Sequence, residues 1–216
     1  NQKQRFNKNK AALELLEDLT NEGRQATAEE QMVLASYTGW GSFGQDLFQG
    51  TWNTPIFKDD WKDQNLWLRE KLGKESWESA KDSILNAFFT DPYTVQAMWS
   101  MAEKMGFNGG RVLEPAIGTG NFISLMPYGL KQRSQVTGID LDITTAAIAK
   151  QLFPESNVQN MPYQKSKTPA NFYDLVISNV PFSNDVKIAD RRYNQFNPNL
   201  HDYYFLKMLD QVRPGC

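Results

Sequence analysis

Two short runs of residues carry the chemistry of this chain. The first, Glu114-Pro-Ala-Ile-Gly-Thr-Gly-Asn-Phe122, puts Gly118 and Gly120 where a strand must turn sharply into a helix. Glycine permits positive φ there and lets a ligand approach the backbone closely. The second, Asp174-Leu-Val-Ile-Ser-Asn-Val-Pro-Phe182, ends a strand on an amide, a proline and an aromatic ring. Such a set suits a planar substrate that bears an amino group. An aromatic amine is a poor nucleophile because its lone pair is delocalised. The side-chain oxygen of Asn179 can accept one of its N–H groups and the backbone carbonyl of Val180 the other. The two acceptors pull the nitrogen toward a tetrahedral shape and aim its lone pair. Positioning and electrostatics then lower the barrier without a metal or a covalent intermediate. Pro181 fixes φ and holds the carbonyl in place. Phe182 offers a stacking face, worth roughly 1–3 kcal/mol for a base.

The glycine turn does not fit a dinucleotide. A nicotinamide fingerprint would place a third glycine at position 123, where this chain has Ile123. S-adenosylmethionine carries no phosphate, so two glycines suffice for it. Asp140 ends the next strand, 20 residues after Gly120. A carboxylate there can accept both ribose hydroxyls, as the acidic residue does in dinucleotide folds.

The elements that must hold these runs are legible in the patterning. Residues 1–85 read as a separate helical unit. Leu13, Leu15, Leu16 and Leu19 mark an apolar helix face stopped at Gly23. Thr27-Ala-Glu-Glu30 has the spacing of a capping box. Trp52, Trp61, Trp67 and Trp77 are expected to pack onto the neighbouring unit. From residue 86 to 216, strands and helices alternate. Asp91-Pro92 starts a helix that Gly106 stops. Strands are expected at 111–113, 135–139, 157–159 and 173–178, with helices at 144–152 and 203–212. Alternation of this kind means a parallel sheet with right-handed crossovers. A doubly wound sheet carries more than four strands, so further ones are expected beyond Cys216.

Here the residues reach a resemblance. Asn179-Val-Pro-Phe182 resembles the Asn-Pro-Pro-Tyr/Phe motif of amino-methyltransferases, with Val180 in place of the first proline. Phe89-Thr-Asp-Pro-Tyr93 resembles the segment that contacts the methionine end of the cofactor in adenine-N6 DNA methyltransferases. Segment, then glycine turn, then catalytic motif is the order of the gamma class. The whole chain, with Gly39-Trp-Gly41 and His201-Asp-Tyr-Tyr204, is similar to the methyltransferase modules of phage and conjugative-plasmid proteins.

That resemblance implies a Rossmann-like doubly wound α/β sheet of the class I S-adenosylmethionine-dependent methyltransferases, with an α-helical N-terminal extension. It implies cofactor contacts from Phe89, Thr90, Glu114, Ala116, Gly118, Gly120, Asn121, Phe122, Asp140, Leu141 and Asn179. Catalysis falls to Asn179, Val180, Pro181 and Phe182. The target is adenine in double-stranded DNA, flipped from the stack. Beyond Phe182, the expected DNA contacts are Lys187, Arg191, Arg192 and Phe196, on the loop after the catalytic strand. The implied role is an orphan or anti-restriction modification enzyme of a mobile element. Methylation at cytosine N4 is chemically close. Methylation of a protein glutamine amide or of RNA, and a binding module without catalysis, are the readings from other classes.

Composition bounds these expectations. The chain has 216 residues, 40% hydrophobic, with a net charge of −2, which describes an ordinary globular chain. One cysteine and one histidine exclude a disulfide framework and multi-histidine metal sites. No apolar run approaches the roughly 18 residues of a membrane span, and a cytoplasmic location is expected. The acidic balance is unusual for a nucleic-acid binder, whose affinity comes largely from neutralised phosphates. Basic residues must therefore be gathered locally, or the main DNA contacts lie outside these residues.

Overall fold

The computed structural model describes residues 1–84, 90–182 and 188–215. Phe89, Lys187 and the expected boundary between residues 85 and 86 fall outside the described residues. The chain opens with α1 (Gln2–Glu22), capped by the Asn1 side chain, which accepts from the Gln4 N–H at 2.9 Å. Gly23 ends it at φ 64°, the left-handed conformation glycine adopts without strain. α2 (Ala28–Ala35) follows its capping box: Thr27 Oγ1 accepts the Glu30 N–H, and the Glu30 carboxylate accepts the Thr27 N–H at 2.8 Å. A short α3 (Gly44–Leu47) leads to α4 (Lys62–Ser83), which is kinked at Gly73.

These helices close on an aromatic core of their own. Phe6, Trp40, Phe43, Phe48, Trp61 and Trp77 are buried together with Leu13, Leu19 and Leu34. The tryptophans thus fill the helical layer itself rather than serving chiefly as a contact with its neighbour. The link to the rest of the molecule is partly aliphatic, through Ile148 in the same cluster and Leu152 packed against it, and partly polar: Gln151 accepts the Ala26 N–H at 2.9 Å, and the Gln31 side chain donates to the Gln151 carbonyl at 2.9 Å.

Next come α5 (Pro92–Lys104), β1 (Gly110–Glu114), α6 (Asn121–Ser124), α7 (Tyr128–Lys131) and β2 (Ser134–Asp140). They are followed by α8 (Ile143–Leu152), β3 (Asn157–Asn160), β4 (Leu175–Val176) and α9 (Leu200–Gln211). Asp91 caps α5 by accepting from the Tyr93 and Thr94 amides at 3.0 and 3.1 Å. The four strands are parallel in the order β3-β2-β1-β4. Alternate residues of β1 face opposite layers, as strand geometry requires. Val112 packs with Trp99 of α5 and Ala146 and Ala149 of α8. Leu113 packs with Ile139 and with Tyr203 of α9. Helices cover both faces, so the fold is the Rossmann-like doubly wound α/β arrangement with a helical N-terminal extension.

Two elements differ from the sequence expectation. The strand expected over 173–178 pairs regularly only at Leu175–Val176. On its other edge Tyr173 makes a single parallel bridge to Val212, donating to the Gln211 carbonyl at 2.9 Å and accepting from the Arg213 N–H at 3.0 Å, while Ile177 N–H still reaches the Leu113 carbonyl at 3.0 Å. α9 starts at Leu200, three residues early, which brings His201 into its first turn.

Candidate functional site at the carboxyl edge of the sheet

Because β1 and β4 are adjacent and parallel, residues 114–122 and 177–182 leave the sheet at the same carboxyl edge. Strand order reverses between them: the chain runs from β1 out through β2 and β3, then returns to the other side of β1 as β4. In open α/β sheets ligands bind in the crevice at such a switch point. The Asp140 end of β2 reaches two residues beyond Gly138, the partner of Glu114, and so overhangs the same edge.

The glycine turn is tied to that overhang. Gly118 N–H donates to Asp140 Oδ2 at 2.8 Å, and Asp142 N–H donates to Oδ1 at 2.8 Å. Gly118 and Gly120 have φ of 57° and 88°, both in the region that favours glycine. At Gly120 the reason is also steric: a Cβ there would meet the Phe153 ring at 2.2 Å. Asn121 Nδ2 donates to the Thr90 carbonyl at 3.3 Å, joining the segment before α5 to the turn. Ala116 is half-buried and Leu141 exposed at this edge. Phe122 is placed differently. Its ring lies in the core, and its carbonyl accepts from the Trp99 indole at 2.9 Å.

Two carboxyls sit here under electrostatic stress. Glu114 is only 2% exposed, and its Oε2 has no hydrogen-bond partner among the described residues. Burial, with the nearby Asp140 charge, pushes its carboxyl well above the usual range. Burial and then Asp142 push Asp140 up to about 7, against the opposing pull of the Asp142 and Gly118 amides. An orphaned buried acceptor needs an explanation, and a ligand rich in N–H and O–H donors supplies one.

At the neighbouring strand end, Asn179 and Pro181 are half-buried and Val180 is buried. The Val180 side chain therefore anchors this turn into the interior, where a proline would have stiffened it by fixing φ. Phe182 is 58% exposed, and the ring beside it is that of His201, with centroids 5.8 Å apart. No ring contact joins Phe182 to Phe196, which is exposed on a 3-10 turn (Asn194–Phe196). Arg191 and Arg192 are exposed. His201 was readable from the sequence only within the His201-Asp-Tyr-Tyr204 run, because its pairing with Phe182 is set by the early start of α9.

Among the described residues no group of His, Cys, Asp and Glu could hold a metal ion, and no helix is long and apolar enough to cross a membrane. No family model matches the chain. It is 25% identical over 211 residues to the Defense against restriction protein B of Escherichia phage P1, covering 96% of this chain and 7% of that protein. The chain thus spans a small part of the curated relative it matches. It is also similar to a type I restriction-modification system methyltransferase subunit from Streptococcus thermophilus, at 15% identity and a TM-score of 0.48, covering 92% of this chain and 52% of that one. A TehB-like SAM-dependent methyltransferase from Corynebacterium glutamicum is similar at 27% identity and a TM-score of 0.32, covering 39% and 44%. An O-methyltransferase from Bacillus cereus in complex with SAH is similar at 16% identity and a TM-score of 0.37, covering 73% and 71%.

Proposed function

We propose that the carboxyl edge of the sheet binds S-adenosylmethionine and delivers its methyl group to the exocyclic N6 of adenine in double-stranded DNA. The observation that carries this reading is the parallel pairing of β1 with β4, which brings the glycine turn beside the Asn179–Phe182 strand end. The acceptors fit the donor: Glu114 offers a buried oxygen without a partner, and Asp140 a second carboxyl at the same edge. Thr90, Ala116, Asn121 and Leu141 complete the cofactor side of this proposal. When bound, the cofactor would supply an electrophilic methyl on a sulfonium, whose S–CH3 bond breaks as the N–CH3 bond forms, leaving a neutral thioether.

The chain's own residues do the rest. Asn179 Oδ1 accepts one N–H of the target amine and the Val180 carbonyl the other, so the lone pair is no longer spread into the ring. Pro181 and the buried Val180 side chain hold that carbonyl still. Phe182 stacks on the base, which must leave the duplex at a cost of a few kcal/mol. Arg191 and Arg192 offer phosphate contacts. After transfer the nitrogen loses one proton to solvent, leaving a neutral secondary amine. The name of the phage P1 relative, with its defence against restriction, supports modification of DNA as the role of this module.

The test is transfer of tritiated methyl groups to unmethylated genomic DNA, followed by nucleoside analysis. N6-methyladenine is the expected product. N4-methylcytosine would move the target to the other amino base. Cofactor binding with no label in any DNA would sink the DNA methyltransferase reading and favour a binding module or another acceptor.

A further inference from the structure

His201 lies in the first turn of α9, and its ring sits 5.8 Å from that of Phe182, tilted by 37°. This separation is within the range in which aromatic pairs attract. Two further observations set this histidine apart. Its Nδ1 is buried and has no hydrogen-bond partner among the described residues, while Nε2 lies 3.4 Å from Asp202 Oδ1. A buried ring nitrogen left unpaired is costly, so packing at this spot has been favoured over satisfying the ring. Phe182, for its part, is a large apolar side chain left 58% exposed at the end of the proposed catalytic run.

The same helix face reaches the other half of the site. Tyr204, three residues on, shares the face of His201 and packs on Tyr163 with centroids 4.8 Å apart. Burial, with the Asp140 charge, pushes its phenol up. The first turn of α9 therefore runs from the target-side aromatic toward the cofactor-side carboxylate.

We propose that His201 is a positioning residue for the methyl-accepting base, its ring backing Phe182 and fixing the plane on which the base stacks. The inference rests on the proposed DNA methyltransferase reading and adds a residue to its target side. An exposed phenylalanine rotates freely, and immobilising it when the base arrives costs binding energy. A ring held beforehand removes that cost, which is the general benefit of preorganisation. Asp202 beside Nε2 helps hold the imidazole in its orientation.

The experiment measures KM for unmethylated plasmid DNA, kcat, cofactor affinity by calorimetry and Tm, for the wild type, His201→Ala and His201→Phe. His201→Ala should raise KM for DNA by roughly 3- to 10-fold, the equivalent of one lost aromatic pair. Cofactor affinity should stay within about twofold, and His201→Phe should restore KM by returning a ring. An unchanged KM in His201→Ala would overturn the proposal. So would loss of cofactor binding and Tm together, or a phenylalanine variant no better than alanine. A wild type that binds cofactor and methylates no DNA overturns the underlying reading instead, and shows itself before any variant is compared.

Discussion

Asp140 accepts two backbone amides and is still driven up to about 7, because burial and Asp142 outweigh those bonds. The sign of the consequence follows from linkage. A carboxyl raised from 3.8 to about 7 holds its proton more tightly in the folded chain than in the unfolded one. Its contribution to stability is full below about pH 4 and is lost as pH climbs through about 7. Without ligand, Tm should therefore fall between about pH 4 and 7 and level off above that, and Asp140→Asn should flatten that fall. Cofactor binding should run the other way, since ribose hydroxyls prefer a charged acceptor. Affinity should rise toward tenfold per pH unit below about 7, and calorimetry on Asp140→Asn should show the slope gone. A slope that persists in the variant would assign the proton to Glu114. Asn179→Ala makes the complementary prediction: methyl transfer down by at least about 100-fold, from lost positioning and electrostatics, with cofactor affinity nearly intact. Loss of both together would mean a folding defect. The sequence made Asp140 legible through its spacing from Gly120. It did not show that the glycine turn is hydrogen-bonded to that carboxylate, nor that Glu114 is buried with an oxygen to spare, since both depend on the register of β1 against β2.

At the scale of elements, the locally written features were the readable ones. The Thr27–Glu30 capping box and the Asp91 cap are complete within four residues, and both form as their sequences predict. The extent of β4 was not readable, because a ladder needs neighbours that its own sequence does not contain, and here regular pairing comes from β1 alone, with a single bridge from Tyr173 to Val212. The start of α9 at Leu200 has a local signal in its residue types, Asn199 at the N-cap and Asp202 in the first turn, though the Asn199 side chain makes no capping bond. Gly120 was legible as a turn but not as a packing site. Its φ of 88° and the Phe153 ring 2.2 Å from a Cβ place two demands on one residue. Gly120→Ala should therefore cost about 2–4 kcal/mol, near the upper end of single substitutions. Adding Phe153→Ala should recover part of that loss, measured as non-additivity in Tm, because only the clash is relieved and the backbone strain stays. Strict additivity of the two changes would show that the ring plays no part in selecting glycine.

For the whole molecule, charge is the decisive quantity. A net charge of −2 means that long-range attraction to DNA is weak, and phosphate contacts must be few and local. On the loop after the catalytic strand the exposed described cations are Arg191 and Arg192. Each neutralised phosphate contributes about −0.9 to the slope of log K against log salt, so two such contacts give a slope of about −2. That slope should be measured by DNA-binding titrations over a range of salt, with Arg191→Ala/Arg192→Ala bringing it close to zero while Tm is unchanged. A steep slope near −5 that survives the double substitution would place DNA on another surface. The first turns of α1 are the strongest alternative, since Lys3, Arg5, Lys8 and Lys10 gather there. Lys3 is in part committed already, to the Asp60 carbonyl and the Trp61 ring, and Lys10 to Glu14 and the Trp67 ring. Cations spent on internal contacts have less to give a phosphate; this holds for Arg192, hydrogen-bonded to the Tyr193 side chain, as well as for Lys3 and Lys10, and it favours the shallow slope over the steep one.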